Sequence, residues 1–179
     1  MPNILEKTKT YLVGHMQYSE GKNWREYVEK ELTDLNITAL NPYKQPFIKD
    51  IEEDDAARLR MAEDMANGNY SDVVERMSVV RSHDLNLVDR CDFIIAHLLP
   101  EVASWGSAEE LVTAVRMKKP VFISMEGGKC NTPLWVMGWK IDNFIYDSID
   151  EVLDVVKKID SGEKEIDSKR WRLLKKELR

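Results

Sequence analysis

The sequence predicts an α/β fold in which a parallel five-stranded sheet carries helices on both faces. Short runs of β-branched and aromatic residues alternate with longer segments of helical pattern, and this alternation is typical of parallel sheets. The chain has 179 residues, of which 43% are hydrophobic and 32% are charged. This length and composition are those of an ordinary globular protein, so we expect one domain over residues 1–179.

Five short runs are predicted strands, because β-branched and aromatic residues suit a pleated, half-buried surface. In chain order they are TYLVG at 10–14, ITAL at 37–40, FIIAHLL at 93–99, VFISM at 121–125 and FIY at 144–146. Segments of helical pattern lie at residues 24–35, 51–66, 70–88, 108–117 and 149–159. A basic amphipathic helix is also expected at about residues 165–179, where packing explains the pattern better than membrane attachment.

The charge of the chain limits its partners. With a net charge of −6 and an isoelectric point near 5.2, the chain lacks the basic surface that nonspecific nucleic-acid binding requires. No apolar stretch is long enough to span a membrane, and the N-terminal residues lack the apolar region of a secretion signal. We therefore expect a cytoplasmic protein that binds a small molecule, with no nucleic-acid or membrane partner.

The cysteines and histidines do not form a metal-binding pattern. Cys91 and Cys130 have neither CxxC spacing nor a histidine at ligand spacing, and two reduced thiols are the default expectation. His15, His83 and His97 are scattered along the chain. The sequence therefore predicts no metal site.

The stretch at residues 81–114 gathers acidic residues around one predicted strand. Asp84 lies on the helix before the strand, Asp92 opens the strand, and Glu109 and Glu110 follow the polar loop after it. Cleavage at an anomeric carbon passes through an oxocarbenium-like state, which a nearby carboxylate stabilises or captures covalently. Carboxylates at one sheet edge therefore suggest glycosidic chemistry.

A structural interpretation of the same acidic residues also fits. The segment SAEE at 107–110 matches the capping box, in which the Glu110 side chain bonds the backbone N–H of Ser107. Short motifs of this kind often match by chance, and a cap is the commoner explanation. Asp84 and Asp92, taken alone, suit solvated positions on a helix face and at a strand end. The residue pattern by itself leaves both interpretations open.

A resemblance to a known enzyme family is carried by DLNLVDRCDFIIAHL and SWGSAEELVTA. Together they resemble the signature of the nucleoside 2-deoxyribosyltransferases and their relatives, the 2′-deoxynucleoside 5′-phosphate N-hydrolases. In these families a Gly-x-x-x-Glu segment supplies the nucleophile, which matches Glu110, and two aspartates match Asp84 and Asp92. Tyr11 matches a tyrosine beside the nucleophile. The resemblance covers about residues 8–157 and implies a flavodoxin-like, Rossmann-like sheet of order 2-1-3-4-5.

The resemblance also implies where the substrate binds. Gly14 and His15 lie where the first predicted strand ends, and Gly106 and Ser107 lie just before Glu110. Open α/β sheets bind ligands outside the carboxyl ends of their strands, where the strand order switches. These four residues are therefore expected to meet at one site as substrate-binding residues.

One departure from the transferases favours a nucleotide substrate. The transferases usually have an Asp at the position of Ser104, six residues before Glu110, whereas the N-hydrolases resemble this chain with a Ser-x-Gly that binds the 5′-phosphate. A hydroxyl and backbone N–H groups at a helix start form an anion site, which here would include Gly106. Ser104 as ordinary loop polarity stays an equal alternative.

The resemblance further implies an oligomer. In the transferases a residue that matches Asn143 reaches into the pocket of a neighbouring subunit, which would give Asn143 a role in sugar binding. The preceding PLWVMGW segment is apolar enough to form a subunit interface. We therefore expect a homodimer or a higher even oligomer.

The activity implied by the resemblance is cleavage of the N-glycosidic bond of a (deoxy)nucleoside or its 5′-monophosphate, without a cofactor. Glu110 would form a covalent glycosyl ester, Tyr11 would position it, and Asp84 and Asp92 would orient the substrate and assist proton transfer. Transfer to a second base and hydrolysis both stay open. The alternative is a nucleotide-binding module that has kept the fold and lost turnover.

Overall fold

A parallel sheet of five strands forms the centre of the protein. The computed structural model describes residues 3–16, 18–44, 55–102 and 104–165. The strands are β1 (Lys9–Gly14), β2 (Thr38–Leu40), β3 (Phe93–Leu98), β4 (Val121–Met125) and β5 (Ile145–Tyr146). Their spatial order is β2-β1-β3-β4-β5, and each neighbouring pair is parallel. The predicted Rossmann-like α/β fold and the strand order implied by the resemblance are both confirmed.

Six α-helices accompany the sheet in the described part of the chain. They are α1 (Tyr18–Thr33), α2 (Asp55–Ala66), α3 (Tyr70–Arg90), α4 (Trp105–Arg116), α5 (Leu134–Met137) and α6 (Ile149–Asp160). α1 begins earlier than the predicted residue 24, and α5 is absent from the predictions because four residues are too few to show a helical period. Residues 51–54 and 166–179 of the predicted helices lie outside the described residues. No described helix combines the length and apolarity that crossing a membrane requires.

Alternate residues of the strands face two separate cores, as expected for a sheet that is covered on both sides. One face packs against α3 and α4, and the other packs against α1 and α6. Buried residues of the first face include Tyr11, Val13, Ile94, Leu111 and Ile123. Buried residues of the second face include Leu12, Phe93, Ile95, Phe122 and Val156.

The carboxyl ends of β1 and β3 form the edge on which a site can be built. β1 lies between β2 and β3, so the chain connections diverge on either side of it, and this is where open α/β sheets bind ligands. Gly14 ends β1 and pairs with His97 near the end of β3. The chain that leaves β3 leads into α4, and the first turn of α4 therefore lies at the same edge.

Candidate active site

A cavity of about 460 Å³ opens at this edge of the sheet, between the end of β1, the face of α3 and the first two turns of α4. The volume falls within the range of about 300–1,000 Å³ that is typical of small-molecule sites. Most of the residues predicted for the site line this one cavity: Tyr11, Gly14, His15, Asp84, Ser104, Gly106, Ser107 and Glu110. The topology thus brings together residues from the two halves of the chain.

Tyr11 and Glu110 form a hydrogen-bonded pair at the floor of the cavity. The Tyr11 hydroxyl donates to Oε1 of Glu110 at 2.7 Å, and the exposed fractions of the two residues are only 2% and 6%. The pKa of the Tyr11 phenol lies well above its usual value, first because the group is buried and then because of the negative charges that Glu110 and Asp84 carry at the high pH where a phenol ionises. The phenol therefore stays protonated and holds the carboxylate in one orientation.

The capping-box interpretation of Glu110 is wrong. The residue that caps α4 is Ser104, whose Oγ accepts a hydrogen bond from the backbone N–H of Ser107 at 3.3 Å. With the cap at Ser104, the helix begins at Trp105, three residues earlier than predicted. Glu110 consequently lies in the second turn, with its carboxylate directed toward Tyr11.

Ser104 has a structural role besides its place in the cavity wall. Its Oγ accepts from the N–H of Ser107 and donates to Oγ of Ser107 at 3.1 Å. Gly106, one residue into the helix, is surrounded by open space, since a Cβ added there would meet no atom within 4 Å. The helix start therefore offers room for a ligand beside Gly106, while the Ser104 hydroxyl already takes part in the cap.

Asp84 lies on the side of α3 that lines the cavity. Burial raises the pKa of its carboxyl group above the usual value, and this shift is opposed by the contact with His83 at 3.3 Å and by the charge of Arg25. A carboxyl group with a raised pKa retains a proton to higher pH. Asp84 is therefore suited to donate a proton.

Asp92 does not belong to this cavity, which corrects the expected catalytic role. It directly precedes β3, so it lies at the amino edge of the sheet, opposite the cavity. Its Oδ2 accepts a hydrogen bond from the backbone N–H of Lys9 at 2.7 Å. Asp92 thus ties the start of β1 to the start of β3, and nothing in its position brings it near a substrate in the cavity.

Asn143 also lies away from the cavity of its own chain. It is exposed in the short turn before β5, where its backbone oxygen accepts a hydrogen bond from the Tyr146 hydroxyl at 3.1 Å. Large apolar side chains are exposed at the start of α4 and on α5: Trp105, Leu134 and Trp135, with exposed fractions of 90%, 91% and 82%. Trp105 and Trp135 line a separate, largely apolar cavity of about 360 Å³.

Arginine side chains are the part of the cavity that the sequence analysis missed. Among the described lining residues, the cations are Arg25, Arg58 and Arg81, with no lysine. Arg81 forms a two-point ion pair with Glu109, and this pair lowers the pKa of Glu109. Arg25 is buried, and its spacing of three residues from the buried Val28 places a charged residue in the apolar stripe of α1. A charged residue within this stripe is the sequence signal that could have identified Arg25.

The two cysteines are free thiols with different surroundings. Cys91 is buried, and burial raises its pKa to about 11, so the thiol stays protonated at neutral pH. Cys130 is exposed. Across residues 3–16, 18–44, 55–102 and 104–165, no three His, Cys, Asp or Glu side chains are grouped closely enough to hold a metal ion.

The solved structures to which the chain is similar include those of two enzymes of nucleosides and nucleotides. One is the 2-deoxyribosyltransferase of the psychrotolerant bacterium Bacillus psychrosaccharolyticus, with 19% identity and a TM-score of 0.46 over 65% of this chain and 72% of that chain. The other is the CMP N-glycosidase of Clostridium botulinum, with 16% identity and a TM-score of 0.48 over 83% of this chain and 98% of that chain. No family model and no curated protein sequence matches the chain.

Proposed function

We propose that the protein cleaves the N-glycosidic bond of a (deoxy)nucleoside or of its 5′-monophosphate. The observation that carries the proposal is the buried hydrogen bond between Tyr11 and Glu110, on the floor of a cavity that Asp84 also lines. The pair supplies an oriented carboxylate, and Asp84 supplies a carboxyl group with a raised pKa. Two acidic groups with different environments are what glycosidic cleavage requires.

In the first step, Glu110 acts as the nucleophile. One of its carboxylate oxygens forms a bond to C1′ of the sugar while the bond from C1′ to the base nitrogen breaks. The electron pair of the broken bond stays on the nitrogen, and protonated Asp84 gives its proton to the departing base. The products of this step are the free base, a glycosyl ester of Glu110 and an ionised Asp84.

In the second step, the ester is resolved by an acceptor. Water attacks C1′, its proton passes to Asp84, and the Glu110 carboxylate leaves, which gives hydrolysis. When the nitrogen of a second base attacks instead, its proton passes to Asp84 and the outcome is transfer. Which acceptor dominates depends on how well the occupied cavity excludes water.

The charges around the cavity support a substrate with a phosphate group. The net charge of the chain is −6, yet three arginines line this cavity. Arg25 donates to backbone carbonyls and Arg81 pairs with Glu109, so Arg58 is the one considered for a phosphate. Arginine presents paired N–H donors that match the oxygens of a phosphate. Arg58 has no ion pair within the described residues, and the amides at the start of α4 add a favourable dipole. These features favour the 5′-monophosphate over the nucleoside.

A subunit interface forms part of the proposal. Trp105, Leu134 and Trp135 are large apolar side chains in one exposed region, and a second copy of the chain would remove them from water. We expect a homodimer or a higher even oligomer in which Asn143 approaches the cavity of the neighbour. Light scattering on the wild type and on Trp135→Ser tests this, and a monomeric, active wild type would contradict it.

The decisive test is release of free base. Purified protein is incubated with each deoxynucleoside and each 5′-monophosphate, with and without a second nucleobase, and the products are separated by chromatography. Free base alone indicates hydrolysis, and a new nucleoside indicates transfer. A mass increase on the peptide that contains Glu110, equal to the bound sugar, would identify the covalent ester.

The competing function is a nucleotide-binding module without turnover. Calorimetric binding of a monophosphate with no base release from any of the substrates named above would favour it. Binding that persists unchanged in Glu110→Gln would also fit a module, because a silent site has no need of a nucleophile. Base release by the wild type that disappears in Glu110→Gln would exclude it.

A further inference from the structure

The guanidinium group of Arg25 donates its hydrogen bonds to backbone carbonyls at the end of β1 and in the first turn of α1. Nε donates to Leu12 O at 3.1 Å, and Nη2 donates to Gly14 O at 2.8 Å. Nη1 donates to His15 O at 3.0 Å and to Gly21 O at 2.6 Å. With an exposed fraction of 1%, this side chain joins the exit of β1 to the first turns of α1.

Two glycines make the surroundings of Arg25 very tight. A Cβ on Gly14 would lie 2.6 Å from the His97 carbonyl oxygen, and a Cβ on Gly21 would lie 2.6 Å from the His15 carbonyl oxygen. These distances are too short for any side chain, so the backbone approach seen here depends on glycine. Trp24 completes the enclosure, with its ring centroid 4.5 Å from Cζ of Arg25. The guanidinium therefore has one defined position.

Arg25 also brings a positive charge to the floor of the cavity. Burial lowers the pKa of Arg25, but Tyr43, Tyr11, Glu110 and Asp84 oppose this shift electrostatically, and an arginine side chain keeps its proton in proteins. In return, Arg25 lowers the pKa of Asp84 and that of Tyr11. The carbonyl bonds and the carboxylates thus compensate a charge whose burial would otherwise be costly.

We propose that Arg25 is a positioning residue, which fixes the exit of β1 against α1 and holds a positive charge within electrostatic reach of Glu110 and Asp84. Its role is indirect, because its guanidinium donates its hydrogen bonds to backbone oxygens. The inference rests on the proposed function. This positioning role would explain why an arginine occupies the apolar stripe of α1.

The charged and titratable groups around Asp84 define the expected pH effect. They are His83 on α3 itself, Tyr11 from β1, Arg25 from α1, Arg58 from α2 and Glu110 from α4, with the Arg81–Glu109 pair also lining the cavity. Asp84 must be protonated at the start of the reaction, so activity falls as the pH rises through its pKa. Removing Arg25 raises that pKa, and the basic limb of the profile should move to higher pH.

The test compares Arg25→Met and Arg25→Lys with Lys119→Met as a matched control. Lys119 is also a buried cation whose Nζ donates to three backbone carbonyls, but it lies before β4 at the amino edge of the sheet. We expect Arg25→Met to lower kcat on the order of 100-fold, as misplaced groups do, and to displace the basic limb. We expect Lys119→Met to lower the stability of the protein and to leave the basic limb of the pH profile where it is in the wild type.

Arg25→Lys separates charge from geometry. It retains the positive charge but not the fork of donors, so its pH profile should stay at the wild-type position while kcat falls. Hydrogen exchange at residues 12–16 should rise in both Arg25 variants and not in Lys119→Met. If Arg25→Met does not fold, Arg25→Lys carries the test alone.

Several outcomes would overturn the proposal. These are a normalised profile of Arg25→Met that superimposes on the wild type, an equal displacement in Lys119→Met, and wild-type kcat and exchange in Arg25→Lys. If the wild type releases no base, the proposed function fails, and the exchange measurements still decide whether Arg25 fixes the end of β1.

Discussion

The hydroxyl of Tyr11 donates to the carboxylate of Glu110 at 2.7 Å, although 99 positions separate the two residues in the sequence. One side chain comes from the central strand β1 and the other from the second turn of α4. Both are buried, so the bond is formed in a region of low dielectric where its orientation is well defined.

Replacing Glu110 with Ala should lower base release by about 10³-fold or more, because it removes the proposed nucleophile and with it the proposed covalent route. Glu109→Ala is the matched control. Glu109 is more exposed and forms an ion pair with Arg81, and such surface pairs contribute about 0–1 kcal/mol to stability. Steady-state rates measure the activity of the two variants, and circular dichroism spectra check that each is folded. Equal rates in the wild type and a folded Glu110→Ala would disprove the assignment.

Tyr11→Phe should lower kcat while leaving the fold intact, because it removes only the hydroxyl that orients Glu110. A hydrogen bond to a charged group contributes about 1.5–3 kcal/mol, which corresponds to about 10- to 150-fold in rate. Tyr27→Phe serves as the control, since the Tyr27 hydroxyl bonds Asp150 on the protein surface. Loss of rate in Tyr27→Phe as large as in Tyr11→Phe would refute a specific role for Tyr11.

Asp84→Asn should reduce base release and, at neutral pH, increase stability. The pKa of Asp84 is raised in the folded protein, so its stabilising contribution is complete below the unfolded pKa and is lost as the pH rises through the folded pKa. Asparagine carries no charge, so the variant should not lose this stability as the pH rises. Thermal unfolding of both proteins at pH 4, 6 and 8 measures the effect. A Tm difference that does not grow with pH would contradict the raised pKa.

Ser104→Ala should weaken turnover of a 5′-monophosphate more than that of the nucleoside, if the hydroxyl contributes to a phosphate site. The effect on kcat/KM should approach that of one charged hydrogen bond, about 1.5–3 kcal/mol. Ser148→Ala is the control, because Ser148 caps α6 through the N–H of Glu151 with the same geometry. Both variants should lose about 1 kcal/mol of stability. An unchanged substrate preference in Ser104→Ala would leave Ser104 a cap alone.

Local pattern was sufficient for most of the fold. The run FIIAHL gave β3, and the charged helical segments gave α3 and α6 within a few residues, because side-chain periodicity is a local property. The strand order came from the family resemblance. The short α5 and the early starts of α1 and α4 were not predicted from the sequence, because helix caps and single turns depend on which side chain bonds which backbone group.

The sequence likewise predicted one part of the candidate site and not another. The family resemblance pointed to Glu110 through its spacing from Gly106, whereas only the structure showed that Ser104, and not Ser107, caps the helix. Asp92 was assigned by resemblance, although a residue that precedes a parallel strand lies at the amino edge, away from the ligand side.

The sequence by itself determined the side-chain periodicity of the strands and helices and the motif around Glu110, because these depend on neighbours along the chain. Only the tertiary structure decided that Tyr11 meets Glu110, that Asp84 loses enough water for its pKa to rise, and that Arg25 lies buried at the end of β1. The physical reason is that burial and electrostatic coupling are set by distances in space. Strand order and helix packing fix those distances, and no local segment contains them.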